Sequence, residues 1–369
     1  MARVAVFHNT LDFQGGADAV CFHTCAALAN DHDVTLFTAS KTDPSTLADR
    51  FDVPFEAEVV QPPGAAALAM AFESLGPVVG PQLAARTTLL RAAVRHRLAS
   101  FDAVVSTANE LSLPAPSVQY VHFPQFRLNR ATMADAGALN RIWSRLAAPT
   151  PDDVATARMR LLANSAWTAD VVEQCYGVCP AVCHPPVDRL DGRAWADRED
   201  GVLVLGRIAP DKRTLAAIEV LDRLHERGTD LTGHIAGAAP AAYREYVDRV
   251  ERAAIQRPYL TVETDVSRGR LTDLLGRYRY GLNAKPQEHF GMAVAEYVAA
   301  GMLPFAPAEG GQVDVLDGDD RLLFDDLDDA VDRIERAVET DLRPFLPRDR
   351  FGGERFAAEL REHVAAILK

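Results

Sequence analysis

Short apolar runs alternate with longer amphipathic stretches along the whole sequence. Residues 4–8 have the pattern of a buried strand, and a helical pattern and the strand-like run 34–38 follow them. After a stretch that contains prolines and aspartates between residues 181 and 199, the alternation begins again with the run 201–207. This order is typical of βαβ units, in which helices cover a parallel sheet. We therefore predict an α/β fold with two Rossmann-like domains that face each other across a cleft.

The length of the chain agrees with this division, because 369 residues correspond to about two domains of roughly 150 residues. We place the first domain at residues 1–188, the second at 189–345 and a last helix within 346–369. This last helix follows a turn-rich stretch, and we expect it to return to the first domain.

The charge and the hydropathy pattern exclude two classes of partner. The chain has 39 basic and 52 acidic residues, a formal net charge of -13. Because binding to nucleic acid depends on clustered lysine and arginine, we expect none. The longest stretch without charged residues, 111–126, contains three prolines and is shorter than the ~20 residues of a membrane span. The N-terminus lacks the apolar core of a secretory leader, so we expect a cytoplasmic protein.

One region departs from the acidic background. Between positions 82 and 160, ten arginines stand against five acidic residues. A helix over residues 82–98 would have one apolar stripe flanked by arginines. These arginines are Arg86, Arg91, Arg95 and Arg97. Such a helix can bind an anionic membrane surface or a phosphorylated lipid acceptor, which would make the protein peripheral on the inner membrane face. Alternatively, it packs on its own sheet with solvated arginines at its edges.

The segment 285–311 carries the strongest functional pattern. Seven residues separate Glu288 from Glu296, and Gly291 lies between a strand end and the start of a helix. A helix N-terminus presents unpaired N–H groups and a partial positive charge, which together favour a phosphate. Glycine at position 291 lets a ligand approach the backbone closely.

This segment resembles the E-x7-E signature of the retaining glycosyltransferases of family 4, which share the two-domain GT-B fold. Other matches follow in order along the chain. Gly15 and Gly16, after the first strand, resemble the glycine loop of that family, and Arg207 with Lys212 resembles its basic diphosphate clamp. The nearest resemblance is to mannosyltransferases that extend lipid-linked oligosaccharides. It is carried by the segments YVHFP at 120–124, NSAWT at 164–168 and EHFG at 288–291.

The resemblance implies the substrates and the roles of the site residues. The donor would be a GDP- or UDP-linked hexose in the second domain, with GDP-mannose favoured, and the acceptor a glycan or polyprenyl-linked glycan in the first. Arg207 and Lys212 would contact the diphosphate, and Glu296 the ribose. Glu288 and His122 would act beside the donor sugar, with Glu288 as nucleophile or as electrostatic stabiliser. The other donor-binding positions would be Gly15, Gly16, His289, Phe290, Gly291 and Met292. Lys285 has no family role and is a candidate to act through its neighbours.

We expect no metal and no cofactor. Paired aspartates occur at 152–153, 319–320, 325–326 and 328–329, in turns or at predicted helix starts, where aspartate caps helices. Arg207 and Lys212 provide positive charge for a diphosphate without a metal ion.

Two other functions remain open. A nucleotide-sugar epimerase of the same fold would bind the same donor and transfer nothing, but the E-x7-E string argues against it. A non-catalytic scaffold subunit that binds sugar nucleotides would be expected to lack one of the clamp or carboxylate positions. Arg207, Lys212, Glu288 and Glu296 are all present.

Overall fold

The computed structural model describes residues 1–79, 82–126, 143, 146, 148–156 and 158–369. These residues form two compact units. The first comprises Met1–Pro186 together with Gly353–Lys369, and the second comprises Val187–Gly352. Each unit is a parallel sheet with helices, which confirms the predicted fold class.

The first unit contains a parallel sheet in which the order of strands reverses. Its strands are β1 (Arg3–Phe7), β2 (Asp33–Phe37), β3 (Glu58–Val60), β4 (Ala103–Ser106), β5 (Ser117–Val121), β6 (Met159–Ala163) and β7 (Ala181–Val182). They are arranged β3-β2-β1-β4-β5-β6-β7. The chain therefore changes direction across the sheet between β1 and β4, and ligands bind parallel α/β sheets at the carboxyl ends of such strands.

Helices of the first unit cover this sheet. They are α1 (Gly16–Ala29), α2 (Pro44–Arg50), α3 (Ala65–Val79), α4 (Leu83–Leu98), α5 (Pro151–Ala155), α6 (Ala166–Tyr176) and, at the C-terminus, α13 (Gly353–Ile367). The helix α13 contributes Phe356, Leu360 and Val364 to the apolar core. The ring of Phe356 packs edge-on at 5.9 Å from that of Tyr120 on β5. The C-terminal helix thus returns to the first unit, as predicted.

The second unit repeats the arrangement. Its strands are β8 (Glu199–Leu205), β9 (Thr232–Gly237), β10 (Leu260–Thr264), β11 (Tyr278–Leu282), β12 (Leu303–Pro307) and β13 (Leu323–Phe324). Its helices are α7 (Thr214–Glu226), α8 (Arg244–Ile255), α9 (Arg268–Arg277), α10 (Met292–Ala299), α11 (Gln312–Val315) and α12 (Leu327–Glu339). The strands are ordered β10-β9-β8-β11-β12-β13, so the direction changes between β8 and β11.

Buried side chains explain why these segments were recognisable in the sequence. Along α7, Ala217, Ile218, Leu221 and Leu224 are buried and recur at helical spacing. One of the paired aspartates has the capping role expected of it. Asp326 caps α12 by accepting a hydrogen bond of 2.9 Å from the backbone N–H of Asp329.

Candidate functional site

Glu288 lies between two lysines of the second unit. Nζ of Lys212 is 2.6 Å from Oε1 of Glu288, and Nζ of Lys285 is 3.0 Å from Oε2. The three side chains are only 15–23% exposed. Burial would raise the pKa of the carboxyl group, but the charges of Lys212 and Lys285 outweigh it and lower the pKa of Glu288 to about 2. Glu288 is therefore ionised at neutral pH.

The topology of the sheet brings these residues together. Lys212 ends a short 3-10 turn, Pro210–Lys212, that follows β8. Lys285 and Glu288 lie in the loop that follows β11. Because β8 and β11 are adjacent and parallel, their carboxyl ends meet at the position where the strand order reverses. The predicted clamp lysine and the first glutamate of the E-x7-E string thus form one cluster, with Lys285 as a third member.

A second loop fixes the backbone of Glu288. The backbone N–H of Gly311 donates to the carbonyl oxygen of Glu288 at 2.7 Å. Gly310 pairs with Glu288 as a single parallel bridge and has a φ of 82°, in the left-handed region. A Cβ at Gly310 would lie 2.5 Å from that same carbonyl oxygen. Only glycine fits this contact, so the Gly310-Gly311 pair helps to position Glu288.

The fully buried side chain of Gln312 connects the two loops. Its Oε1 accepts a hydrogen bond of 2.7 Å from Nδ2 of Asn283, and its Nε2 donates to the carbonyl oxygens of Lys285 and Glu309 at 3.1 and 2.9 Å. Asn283 also accepts a bond of 3.2 Å from the backbone N–H of Lys285. Sequence reasoning missed Asn283 and Gln312, because neither an isolated asparagine nor an isolated glutamine has a spacing that reveals its partner.

Helix α10 begins beside this cluster, at Met292. Its N-cap, Gly291, has a φ of 103°. Just before it, Phe290 is buried and packs edge-on at 5.4 Å from the ring of Phe351. Burial and the charge of Lys285 lower the pKa of His289 to about 4, so this imidazole is neutral at neutral pH. The predicted phosphate-binding segment therefore has a rigid base and a helix N-terminus.

Arg207 lies on the loop after β8 and is half exposed. Its Nη2 is 3.3 Å from Oδ2 of Asp211, an exposed ion pair that a ligand can replace at little cost. The preceding residue, Gly206, touches Gly237 on β9 so closely that a Cβ at Gly237 would be 1.7 Å from the carbonyl oxygen of Gly206. This close approach fixes the base of the loop that carries Arg207.

Glu296 lies in the second turn of α10 and is largely buried. Its Oε1 accepts a hydrogen bond of 2.6 Å from Nη1 of Arg268, which is half exposed at the start of α9. Sequence reasoning did not identify Arg268.

Two buried side chains, those of Asp18 and His8, stabilise the glycine loop of the first unit at Gly15 and Gly16. Oδ2 of Asp18 accepts a bond of 2.9 Å from the backbone N–H of Gly15, and Oδ1 lies 2.8 Å from Nε2 of His8. Nδ1 of His8 is 2.9 Å from the hydroxyl of Thr107. Gly16 is the first residue of α1. The pair of His8 and Asp18, which the sequence analysis did not single out, orders this loop.

His122 follows β5, and both its backbone N–H group and its carbonyl oxygen are hydrogen-bonded to side chains. Oδ1 of Asn109 accepts hydrogen bonds of 2.7 and 3.2 Å from the backbone N–H groups of His122 and Phe123. Nδ2 of Asn164 donates to the carbonyl oxygen of His122 at 3.0 Å. The ring Nε2 lies 3.2 Å from the carbonyl oxygen of Thr107. The orientation of His122 therefore depends on two asparagines.

Glu110 extends this support to the end of the same segment. Its Oε1 accepts bonds of 2.8 and 2.9 Å from the backbone N–H groups of Gln125 and Phe126, and one of 2.8 Å from the hydroxyl of Tyr176. Burial raises the pKa of Glu110 to about 7, although the hydrogen bonds from Phe126 and Tyr176 act in the opposite direction. Asn109 and Glu110 together bind four backbone N–H groups within residues 122–126, the described part of the loop that carries His122.

The arginines of α4 divide into two pairs. The side chain of Arg86 is only 6% exposed. Its guanidinium lies 4.6 Å from the ring centre of Phe72 and 3.8 Å from the carboxylate of Asp12. Arg91 donates a hydrogen bond to the carbonyl oxygen of Ser112. The buried side chain of Arg86 is therefore not available to a membrane surface, whereas Arg91 is partly exposed and its contact with lipid stays a prediction. Arg95 and Arg97 are exposed. Arg127, Arg130, Arg141 and Arg145 of the basic region lie outside the described residues.

The part of the chain that the structure describes contains neither a membrane-spanning helix nor a cluster of metal ligands. No helix there combines the length and apolar character that crossing a bilayer requires. Within the same residues, no three histidine, cysteine, aspartate or glutamate side chains are grouped as metal ligands would be.

Solved structures with the same architecture define the class of fold. The structure resembles that of the Anabaena protein HepE in complex with UDP, with a TM-score of 0.70 and 15% identity over 99% of this chain and 100% of that one. It also resembles WaaG, described as a glycosyltransferase involved in lipopolysaccharide biosynthesis, with a TM-score of 0.64 and 14% identity over 97% and 95% of the two chains. These likenesses establish a GT-B-like fold.

The sequence of the second unit gives the family of this domain. Residues 191–351 match the family described as Glycosyl transferases group 1. They are therefore a glycosyltransferase group 1 domain, and this stretch contains Arg207, Lys212, Lys285, Glu288 and Glu296. The resemblance stated from the sequence is thus confirmed for the family of this domain and for the GT-B-like fold of the chain.

Curated relatives match at low identity. The chain is 28% identical over 167 residues to a GDP-Man:Man(3)GlcNAc(2)-PP-Dol alpha-1,2-mannosyltransferase of Candida glabrata, which covers 41% of this chain and 33% of the relative. It is 22% identical over 240 residues to the protein of the same description from Dictyostelium discoideum, covering 56% and 47%. The matched part thus spans between a third and a half of these two relatives.

Proposed function

We propose that this protein is a retaining, metal-independent hexosyltransferase that moves mannose from GDP-mannose to a lipid-linked glycan. The observation that carries the proposal is the position of Glu288. It is an ionised carboxylate between Lys212 and Lys285, at the carboxyl ends of β8 and β11 and four residues before α10. The proposal is supported by this combination of one carboxylate and two ammonium groups, because a sugar joined to a diphosphate would need both kinds of charge.

The diphosphate would bind to Arg207, Lys212 and the N-terminus of α10. Cleavage of the bond between sugar and phosphate leaves negative charge on the diphosphate, and positive groups fixed at that position stabilise the transition state. The guanidinium of Arg207 can donate to two phosphate oxygens, whereas Lys212 acts as a point charge. Together these groups give the leaving diphosphate the positive charge that a metal ion supplies in other enzymes, so the proposed reaction needs no metal.

The sugar would bind beside Glu288. As the bond to the diphosphate breaks, the anomeric carbon becomes positive, and a carboxylate with a pKa of about 2 stays negative and stabilises it. The same carboxylate can act as a nucleophile or as an electrostatic stabiliser. The resemblance assigns His122 to this sugar as well, and Glu296 to the ribose. Both oxygens of Glu296 can accept bonds from ribose hydroxyls in place of its bond to Arg268.

The identity of the donor and of the acceptor rests on the curated relatives. Their descriptions name GDP-mannose and a dolichyl-diphosphate-linked glycan. We propose the same donor and a polyprenyl-linked acceptor of this kind for this protein, with the reaction at the cytoplasmic face of a membrane. Arg95 and Arg97 are the exposed basic residues of α4 that would contact anionic lipid.

A panel of nucleotides tests the proposal by thermal unfolding. A ligand that binds only the folded protein raises the unfolding midpoint by mass action. We expect GDP and GDP-mannose to raise it in the presence of EDTA as much as in its absence. A shift with UDP instead of GDP would retain the enzyme class and contradict the mannose donor. No shift with any nucleotide in a folded sample would contradict the proposed function and favour a scaffold role.

A further inference from the structure

Lys285 contacts the same carboxylate as Lys212 but from another element. Its Nζ lies 3.0 Å from Oε2 of Glu288 and 3.9 Å from Oδ2 of Asp211, while Lys212 contacts Oε1 of Glu288 at 2.6 Å. Each oxygen of one carboxylate thus has its own lysine. A single lysine is sufficient to neutralise a single carboxylate, so the second lysine calls for a separate explanation.

The backbone of Lys285 is fixed at both ends of the residue. Its N–H donates to Oδ1 of Asn283 at 3.2 Å, and its carbonyl oxygen accepts from Nε2 of Gln312 at 3.1 Å. Gln312 is fully buried. Lys285 and Glu288 also belong to the same loop, three residues apart. Their ion pair therefore persists without help from the loop that carries Lys212.

Lys212 is placed differently, because it is on the loop after β8 with Arg207. In the proposed function both of these residues turn to the diphosphate of the donor. The diphosphate would attract the ammonium group of Lys212 and would add negative charge near Glu288. Burial and a neighbouring negative charge both favour the protonated form of a carboxyl group. With Lys212 as its one partner, Glu288 would lose its charge just when the donor binds.

We propose that Lys285 is a positioning residue that keeps Glu288 ionised and in place when the donor diphosphate draws Lys212 away. This role rests on the proposed function. The other titratable groups that face the pair are Asp211, 3.9 Å from Lys285, and His289, which is neutral because burial and Lys285 lower its pKa to about 4. Lys285 is therefore the cation that remains for Glu288 in the donor complex.

Carboxyl-selective NMR can follow the titration of Glu288 in the complex with GDP and so test this role. The variant Glu288→Gln identifies the signal of Glu288. The variants are Lys285→Met, Lys285→Arg and, as a matched control, Lys41→Met, which removes a lysine paired with Glu73 in the first unit. Because an opposite charge within ~4–6 Å shifts a pKa by about 1 to 3 units, we expect Lys285→Met to raise the pKa of Glu288 by about that amount. We expect Lys285→Arg to restore it and Lys41→Met to leave it unchanged. Lys285→Gln is the second neutral variant if Lys285→Met does not fold.

The affinity for GDP, measured by calorimetry in the same samples, separates the failure of this inference from the failure of the proposed function. We expect it to change by less than about threefold in Lys285→Met, since Lys212 and Arg207 remain. If GDP binds the wild type and Glu288 titrates alike in both proteins, the inference is wrong and the proposed function stands. A loss of affinity of about tenfold or more with an unchanged titration would make Lys285 a ligand of the nucleotide, which also overturns the inference. If neither GDP nor UDP binds the wild type, the proposed function itself fails.

Discussion

A Cβ at Gly310 would lie 2.5 Å from the carbonyl oxygen of Glu288, so the backbones of these two residues touch. The contact connects the loop after β12 to the loop after β11 and determines where the Glu288 carboxylate can lie. Through this contact Gly310, although it has no side chain, helps to position the carboxylate of the proposed reaction.

Gly310→Ala should therefore lower the activity as well as the stability of the protein. The new methyl group must displace the backbone of Glu288, and we expect the rate of sugar transfer to fall by at least about tenfold. Gly318→Ala is a matched control, because Gly318 also has a positive φ, 66°, but nothing lies within 4 Å of its Cβ position. Gly318→Ala should lose about 1 kcal/mol of unfolding free energy from left-handed backbone strain. Gly310→Ala should lose more, because its methyl group also meets backbone atoms of Glu288. Equal activities of the two variants would show that the contact does not position Glu288.

Removal of the ammonium group of Lys212 should weaken donor binding. Lys212→Met leaves Glu288 with Lys285 but takes a charge from the proposed diphosphate site, and we expect the Kd for GDP to rise by at least about tenfold. Isothermal calorimetry measures this directly, and Lys41→Met provides the control for the loss of one lysine. An unchanged Kd would remove Lys212 from the donor site.

Glu110 should make the stability of the first unit depend on pH. Burial raises its pKa in the folded protein to about 7, above the value of 4.5 for an unperturbed group. For a raised pKa, the stabilisation is complete below the unfolded value and is lost as the pH rises through the folded value. The free energy of unfolding of the wild type, relative to that of Glu110→Gln, should fall by up to about 3 kcal/mol between pH ~4.5 and ~7.5.

Denaturant unfolding at several pH values checks this prediction. The control is Glu173→Gln, which changes an exposed glutamate of α6 in the same unit. The difference between wild type and this control should not vary with pH to a comparable extent. A constant difference between wild type and Glu110→Gln would mean that Glu110 has an ordinary pKa in the folded protein.

Charge reversal on α4 tests the proposed contact with lipid. The double variant Arg95→Glu and Arg97→Glu changes exposed side chains only, and we expect it to reduce flotation with vesicles that contain anionic lipid. The double variant Arg244→Glu and Arg252→Glu, on exposed positions of α8, produces the same change of net charge. Similar flotation of the two variants would return α4 to a purely structural role.

The periodic features of the fold were predictable from the sequence. Strands such as β1 and β4 are buried along most of their length, so they have continuous apolar runs that stand out between amphipathic helices. The position of α13 in the first unit agrees with the apolar face of Phe356, Leu360 and Val364. The edge strand β3 was missed, because a run of three residues has no usable period.

The site was predictable only where residue types and spacing carry chemistry. Lys212 and Glu288 were identified from motifs, and the structure brings them together. Asn283 and Gln312 were not, because their partners are main-chain groups that any residue possesses. The membrane interpretation of Arg86 was wrong because a helical wheel shows the position of a residue but not what packs over it. Phe72 and Asp12, which cover Arg86, come from other parts of the chain.

A transfer assay shows whether Glu288 is the carboxylate beside the donor sugar. GDP-mannose, a polyprenyl-diphosphate-linked glycan and EDTA are incubated with wild type or with Glu288→Gln, and NMR determines the anomeric configuration of the product. We predict a product with the α configuration of the donor from the wild type and a rate at least about 100-fold lower with Glu288→Gln, since the amide lacks the negative charge. A product of inverted configuration, or an undiminished rate in Glu288→Gln, would contradict the account.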